Sequence, residues 1–405
     1  MSDTLPLLVA LALIIAAAKL AGFAANRFGQ PAVMGELLIG LLLGPSLIDL
    51  FNLPYFQDAE VLKTVRELGE VGVIFLMFAA GLEIHLADFL KSGRAAVLTG
   101  VSGVVVPIVL GAAATLPFGY DLTHSLFVGV VLSATSVSIS AQTLMELGKL
   151  RTREGLTLLG AAVVDDVLGI VALSAFIVFA ASAGSPLDLV WAILRMAIFL
   201  AAAFFIGRWL LPRLAAWADR LPVSEGVIAA VIVMVLIFAW ASEVMGGVAA
   251  ITGAFVAGVS LGQSHLRKQI ADGIHTIAYS FFVPIFLVSI GLAANFRELS
   301  TNDLGLTVVI CLVAVISKLV GCGLGAKWGG MSWRESWRVG IGMISRGEVG
   351  LIIAGVGVSA GLAEVKVFTV AVVMVLFTTL ITPALLRWAF AETGIEHVTT
   401  DRLGR

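Results

Sequence analysis

The sequence predicts an all-α polytopic membrane protein of about thirteen transmembrane helices, on three observations. Of its 405 residues, 60% are hydrophobic and 13% charged, with mean hydropathy +1.06; a soluble domain is about half apolar and about a quarter charged. The apolar residues gather in runs near the roughly 20 residues that cross a hydrocarbon core. The basic residues sit almost entirely on alternate loops, as the positive-inside bias of membrane insertion requires. A net charge of −2 offers no basis for a nucleic-acid partner.

Taken in order, the expected spans are 4–25, 32–50, 65–86, 94–117, 123–146, 155–182, 187–211, 223–242, 247–262, 273–293, 303–326, 335–360 and 364–388. The first is apolar except for Lys19. It is too long for a signal-peptide core and has no basic leader, so it is read as a retained span. The second carries Glu36 and ends at "GPSL"; the third reads "FLMFAAGLE" into its cytoplasmic end. The fourth is almost uniformly apolar, and the fifth is interrupted by "LSATSVSIS" at 132–140. The sixth holds Asp165 and Asp166 near its middle. Trp191 in the seventh and Trp240 in the eighth read as packing or interface anchors. The ninth is short, hence little tilted or partly buried in protein. The eleventh carries Lys318, Cys311 and Cys322, whose spacing on one helix rules out a disulfide framework. The twelfth is interrupted by "GMISRGEVG" at 342–350. The whole of 1–390 reads as one membrane transport unit. The short cytoplasmic tail, 391–405, leaves no room for a cytosolic regulatory or output module.

With the N-terminus outside and the C-terminus cytoplasmic, the outer loops hold only Lys63, Arg66, Arg297 and Lys366. The inner loops and tail hold most of the others, among them Arg27, Lys91, Arg94, Lys149, Arg151, Arg267, Lys268, Arg402 and Arg405, and four lie inside spans. An odd span count is required, because one missed helix would invert every later loop. Lys19 and Arg195 lie near span ends and can snorkel. Lys318 and Arg346 are deeper, and read as counter-charges for Asp165, Asp166 and Glu348.

An internal repeat is visible. "GPSL" (44–47) is echoed by "GVSL" (258–261), and "FLMFAAGLE" (75–83) by "FLVSIGLAA" (286–294), each seven spans later. An odd offset inverts the second copy, an arrangement typical of secondary transporters. The same offset pairs the fifth span with the twelfth, the two with interrupted centres. Both are expected to be broken helices, whose freed carbonyls and hydroxyls at mid-membrane can replace an ion's water shell.

Each aspartate at a bilayer centre costs about 2.5–3.5 kcal/mol, and such groups are functional by default. Neighbours on a helix point about 100° apart. One can therefore face a salt-bridge partner while the other faces a cavity. A carboxylate in a cavity binds a proton or a small cation but not both well, and that competition couples the two. The reading adopted is that Asp166 is the ion-and-proton site and Asp165 its partner, tied to Lys318. Arg346 and Glu348 are two apart and do not face each other on a regular helix. Each is expected to satisfy another group or to stabilise the helix break, with direct ion contact as the other role. Glu36 and Glu83 read as interfacial carboxylates. No histidine is central in a span, and no metal site, P-loop or cofactor motif is present. An intramembrane aspartyl protease needs aspartates on different helices across a peptide, which adjacent residues cannot supply. A sensor would need an output module, and a channel needs no titratable site tied to a basic partner.

"GAAVVDDVLG", "ISKLVG", "ATSVSISA", "SRGEVGLI" and "FLMFAAGLE" together resemble the motifs of bacterial sodium/proton antiporters of the NapA type, in the cation:proton antiporter-2 group that includes the Kef potassium systems. The resemblance spans about 1–390. It implies a thirteen-helix fold of two inverted repeats with two broken crossing helices. It also implies a core domain (about 94–182 and 303–388), a dimerisation scaffold (about 4–86 and 223–293) and a linker helix (about 187–211). By position, Asp166 resembles the ion-binding aspartate and Asp165 the aspartate bridging to Lys318, with Thr135 and Ser136 at the first crossover and Arg346 and Glu348 at the second. Na+ would meet Asp166, Asp165 and Thr135. The implied activity is electrogenic exchange of Na+ or Li+ for H+ by an elevator movement, in a homodimer, in the bacterial inner membrane, without a cofactor. K+/H+ exchange of the Kef kind is the alternative, and a sensor or uncoupled channel the alternative of another class.

Overall fold

A computed structural model describes residues 4–56, 59–83, 92–180, 186–293, 304–359, 363 and 365–391. They are helical nearly throughout: α1 (Thr4–Arg27), α2 (Ala32–Leu43), α3 (Ala59–Glu83), α4 (Gly93–Thr115), α5 (Leu122–Ser133), α6 (Val137–Glu146), α7 (Arg153–Ala180), α8 (Pro186–Ala218), α9 (Gly226–Ala241), α10 (Ala250–Leu261), α11 (Arg267–Ile277), α12 (Val283–Leu292), α13 (Leu304–Trp328), α14 (Trp333–Gly342), α15 (Glu348–Ser359) and α16 (Val365–Ala391). A π-turn at Ala278–Phe282 joins α11 to α12. Lys91, Arg297, Arg402, Arg405 and the tail lie outside the described residues.

Nine stretches among the described residues are long and apolar enough to cross a membrane. The other four expected spans differ for separate physical reasons. The second and ninth form helices of only 12 residues, α2 and α10, short of a full crossing at about 1.5 Å per residue. The third, α3, carries Glu60, Lys63, Arg66, Glu67 and Glu70 in its first half. The twelfth is divided into α14 and α15. The seventh runs on to Ala218, beyond the expected 211, and the tenth starts at Arg267 rather than 273.

Two sets of helices pack chiefly among themselves. One is α4 with α5, α7 and α13, joined by α14, α15 and α16; the other is α1, α2, α3, α9, α10, α11 and α12, and α8 packs against α9 and α10 and also against α7. The glycines in the repeated motifs explain part of this packing. Gly258 of α10 has Gly81 of α3 as a neighbour, and a Cβ on Gly258 would stand 3.0 Å from the Gly81 Cα. Likewise a Cβ on Gly44, just past α2, would stand 3.2 Å from the Gly291 carbonyl of α12. At Gly258, where a Cβ would also run into the Phe78 carbonyl, only glycine permits such backbone approach.

Candidate functional site

Helix α5 ends at Ser133 and α6 starts at Val137; α14 ends at Gly342 and α15 starts at Glu348. The two interruptions meet: the Ser136 amide donates to the Ser345 carbonyl at 2.9 Å, and the Ser140 hydroxyl to the Gly342 carbonyl at 2.5 Å. Local sequence accounts for both. At the end of α5 the Ser133 hydroxyl donates to the Val130 carbonyl at 2.7 Å, and Gly347 closes against Ser136, whose Cβ would lie 2.6 Å from an added Cβ.

Arg346 is fully buried. Its guanidinium donates to the carbonyls of Leu132 (3.0 Å), Met343 (3.2 Å), Ile344 (2.5 Å) and Ala314 (2.9 Å). Leu132 lies in the last turn of α5, and Met343 and Ile344 follow α14. One cation therefore satisfies orphan carbonyls at two helix C-termini, where the helix dipoles favour positive charge. Among the described residues every guanidinium hydrogen bond goes to a backbone carbonyl, which fits the expected role of stabilising the helix break, while Asp165 stands within electrostatic reach. Its own backbone is pinned by α16, with the amide donating to the Thr378 hydroxyl at 3.3 Å and the carbonyl accepting from the Thr379 hydroxyl at 2.7 Å. The side chain of Glu348 lies outside the described residues.

On α7, Asp165 and Asp166 diverge. Lys318 on α13 donates to Asp165 Oδ1 at 2.7 Å, with the two side chains 0% and 2% exposed. Helix α4 covers the pair at Gly103, where a Cβ would stand 3.5 Å from both Asp165 Oδ1 and Lys318 Nζ. Asp166 is half-buried. It lines a cavity with Met77, Val137, Leu159, Val163, Ile251 and Thr252, among others. Thr252 on α10 donates to Asp166 Oδ2 at 3.1 Å. Thr135, Ser136, Ser138 and Ser345, all at the two interruptions, are buried with no hydrogen-bond partner for their hydroxyls among the described residues. These are hard oxygen donors of the kind a small cation takes. No cluster of three or more His, Cys, Asp or Glu suited to a resident metal exists among the described residues. Both cysteines are free and buried.

Sequence reasoning passed over several of these groups. Thr252 gave only the weak signal of a lone hydroxyl in a short apolar span. Glu36, read as interfacial, is 5% exposed and takes a 3.3 Å bond from Lys19. Glu146 at the end of α6 accepts from the Ala32 amide at 2.8 Å, so it caps the N-terminus of α2 from another helix. Arg195 donates to the Met245 and Val244 carbonyls at 2.6 and 2.7 Å, just past the expected end of the eighth span.

The comparisons with known proteins agree with this architecture. The family described as "Sodium/hydrogen exchanger, transmembrane" matches residues 10–392. The Na+/H+-K+ antiporter GerN of Bacillus cereus is 39% identical, over 94% of this chain and 95% of the relative. A Na+/H+ antiporter of Enterococcus hirae is 33% identical, over 93% and 96%. In fold, the chain is similar to the sodium proton antiporter MjNhaP1 of Methanocaldococcus jannaschii, with a TM-score of 0.70 at 17% identity over 97% of each chain. The relatives are named as transporters, not enzymes. This chain is a multi-pass membrane protein that belongs to the sodium/hydrogen exchanger family.

Proposed function

We propose that the chain exchanges Na+, or Li+, for H+ across the membrane by alternating access, with Asp166 as the carboxylate that the cation and the proton contest. The observation that carries this reading is the split between the two aspartates. Asp165 is neutralised by Lys318, while Asp166 borders a cavity. A carboxylate so placed has two competing ligands and one site, which suffices to couple their fluxes. Thr135 and Asp165 complete the proposed Na+ surroundings. Ser136, Arg346 and Glu348 belong to the crossover that holds the site. K+ is the second cation to consider, because the Bacillus cereus relative is named as a Na+/H+-K+ antiporter.

The two packing sets support a division into a moving core (about 94–182 and 303–388) and a scaffold (about 4–86 and 223–293) with a linker helix (about 187–211). The glycine contacts support inverted repeats. Exchanging the second span with the ninth and the third with the tenth turns the Gly81–Gly258 contact into the Gly291–Gly44 contact. Thirteen spans, two broken helices crossing within the membrane and an outside N-terminus are part of the same reading. So are an inner-membrane location, a homodimer, elevator-like movement and electrogenic exchange.

The test is reconstitution in proteoliposomes with an imposed pH gradient and a pH dye, adding Na+, Li+ or K+. Wild type is expected to dissipate the gradient on addition of Na+ or Li+, and Asp166→Asn to fail. An Asp166→Asn protein that exchanges like wild type would remove Asp166 from the transport site. A wild type inert to all three cations would overturn the exchange reading.

A further inference from the structure

The polar contact between Asp166 and Thr252 joins helices with largely different neighbours. Helix α7 packs chiefly on α4, and α10 chiefly on α3, α9 and α8, while α8 touches both. Of the nine residues lining the cavity at Asp166, only Asp166 and Thr252 have polar side chains. Thr252 itself is 3% exposed and stands in the first turn of α10. There, the helix dipole also favours a nearby anion. A hydroxyl donating to an ionised carboxylate makes a charge-assisted bond, roughly twice as strong as a neutral one. Its strength therefore depends on what Asp166 carries.

We propose that Thr252 is a positioning residue that senses the occupancy of Asp166. When the carboxylate is empty and charged, the Thr252 hydroxyl holds it and ties α10 to α7. When a proton or cation neutralises the carboxylate, the bond weakens or the carboxylate oxygen is taken by the cation, and the seam between the two helix sets is released. The empty carrier is thereby disfavoured from crossing, which is the condition for tight exchange. The inference rests on the proposed transport role of Asp166 and adds a group on the opposite side of the seam to it.

The experiment compares wild type with Thr252→Val, which removes the hydroxyl at nearly constant shape, and Thr252→Ser, which keeps it. Thr252→Ala stands in if the valine variant fails to fold. In proteoliposomes two quantities are read: the apparent KM for Na+ in Na+-driven proton movement, and downhill sodium-tracer flux under conditions that offer no counter-moving proton. Loss of a competing charge-assisted bond lowers the KM of Thr252→Val by about tenfold. It also raises the uncoupled sodium flux several-fold, while Thr252→Ser returns both to wild-type values. Unchanged KM and unchanged coupling in Thr252→Val overturn the proposal, as does a Thr252→Ser variant that behaves like Thr252→Val. If wild type itself moves no protons with any cation, the exchange reading fails and takes this one with it. If wild type exchanges normally and only the valine prediction fails, the role of Asp166 stands and that of Thr252 falls.

Discussion

Asp165 and Asp166 are adjacent on one helix and chemically identical, yet they live in opposite surroundings. Asp165 faces α13 and α4, where Lys318 is wholly buried beside it. Asp166 faces α10 and a cavity whose lining is otherwise nearly all apolar. The difference teaches that one helical turn can present both a lysine-paired carboxylate and a cavity-facing one, because a rotation of about 100° sends neighbours to different helices. A lone carboxylate would have to serve as anchor and as ligand at once.

The largest effect expected from breaking this contrast comes at the dry pair. Lys318→Met strands the Asp165 carboxyl in the interior and costs about 3–5 kcal/mol, the range for removing one partner of a buried ion pair. Asp165→Asn combined with Lys318→Met leaves neither member of the pair charged and recovers most of that loss. Thermal unfolding of the detergent-solubilised protein measures both. A double variant no more stable than Lys318→Met would mean that the pair is not coupled as its 2.7 Å contact indicates.

A smaller effect is expected where α4 seals the pair. A Cβ at Gly103 would stand 2.6 Å from the Cys322 Sγ, so Gly103→Ala must displace the Cys322 thiol or push α4 away from α13. Overpacking of this kind costs about 1–3 kcal/mol. Gly103→Ala is expected to lower the unfolding temperature and to speed alkylation of Cys322, since a loosened seal admits water and reagent. An unchanged alkylation rate would show that the seal does not depend on this glycine.

The smallest effect belongs to an aspartate that only solvent and a helix end surround. Asp121, between two spans, accepts from the His124 amide at 2.8 Å and meets the His124 ring as the N-cap of α5. The backbone bond, then the ring contact, hold its carboxyl below the usual aspartate value. A carboxyl whose folded value is depressed stabilises the fold above the unfolded value, about 3.9. That contribution is lost as pH falls through the lowered one. Asp121→Ala is therefore expected to reduce the unfolding temperature slightly at pH 7 and to match wild type once the pH is well below the ordinary aspartate range. A gap that persists in acid would assign the effect to something other than the ionised cap.

Much of the fold was legible because hydropathy is a property of local composition. The apolar runs coincide with helices from α1 to α16, and the interruptions at "LSATSVSIS" and "GMISRGEVG" coincide with the gaps between α5 and α6 and between α14 and α15. Hydroxyl clusters and glycines weaken a helix wherever they occur, so those positions could be read without knowing their neighbours. The repeated Gly-Leu motifs were legible as well, although their packing purpose at Gly81, Gly258, Gly44 and Gly291 was not.

By itself, then, the sequence determined the membrane class, the placement of the helices, the sites of interruption and the identity of the few charges that enter the apolar interior. The tertiary structure alone decided what each charge meets. Lys318 reaches Asp165 across 153 residues of chain, Thr252 reaches Asp166 across 86, and Arg346 reaches the Leu132 carbonyl across 214. The physical reason is that insertion energy depends on what a segment is made of, whereas the state of a buried charge depends on the few atoms packed around it. Those atoms come from helices distant in sequence. No local pattern records which carbonyls Arg346 would meet or that Glu36 would be buried against Lys19.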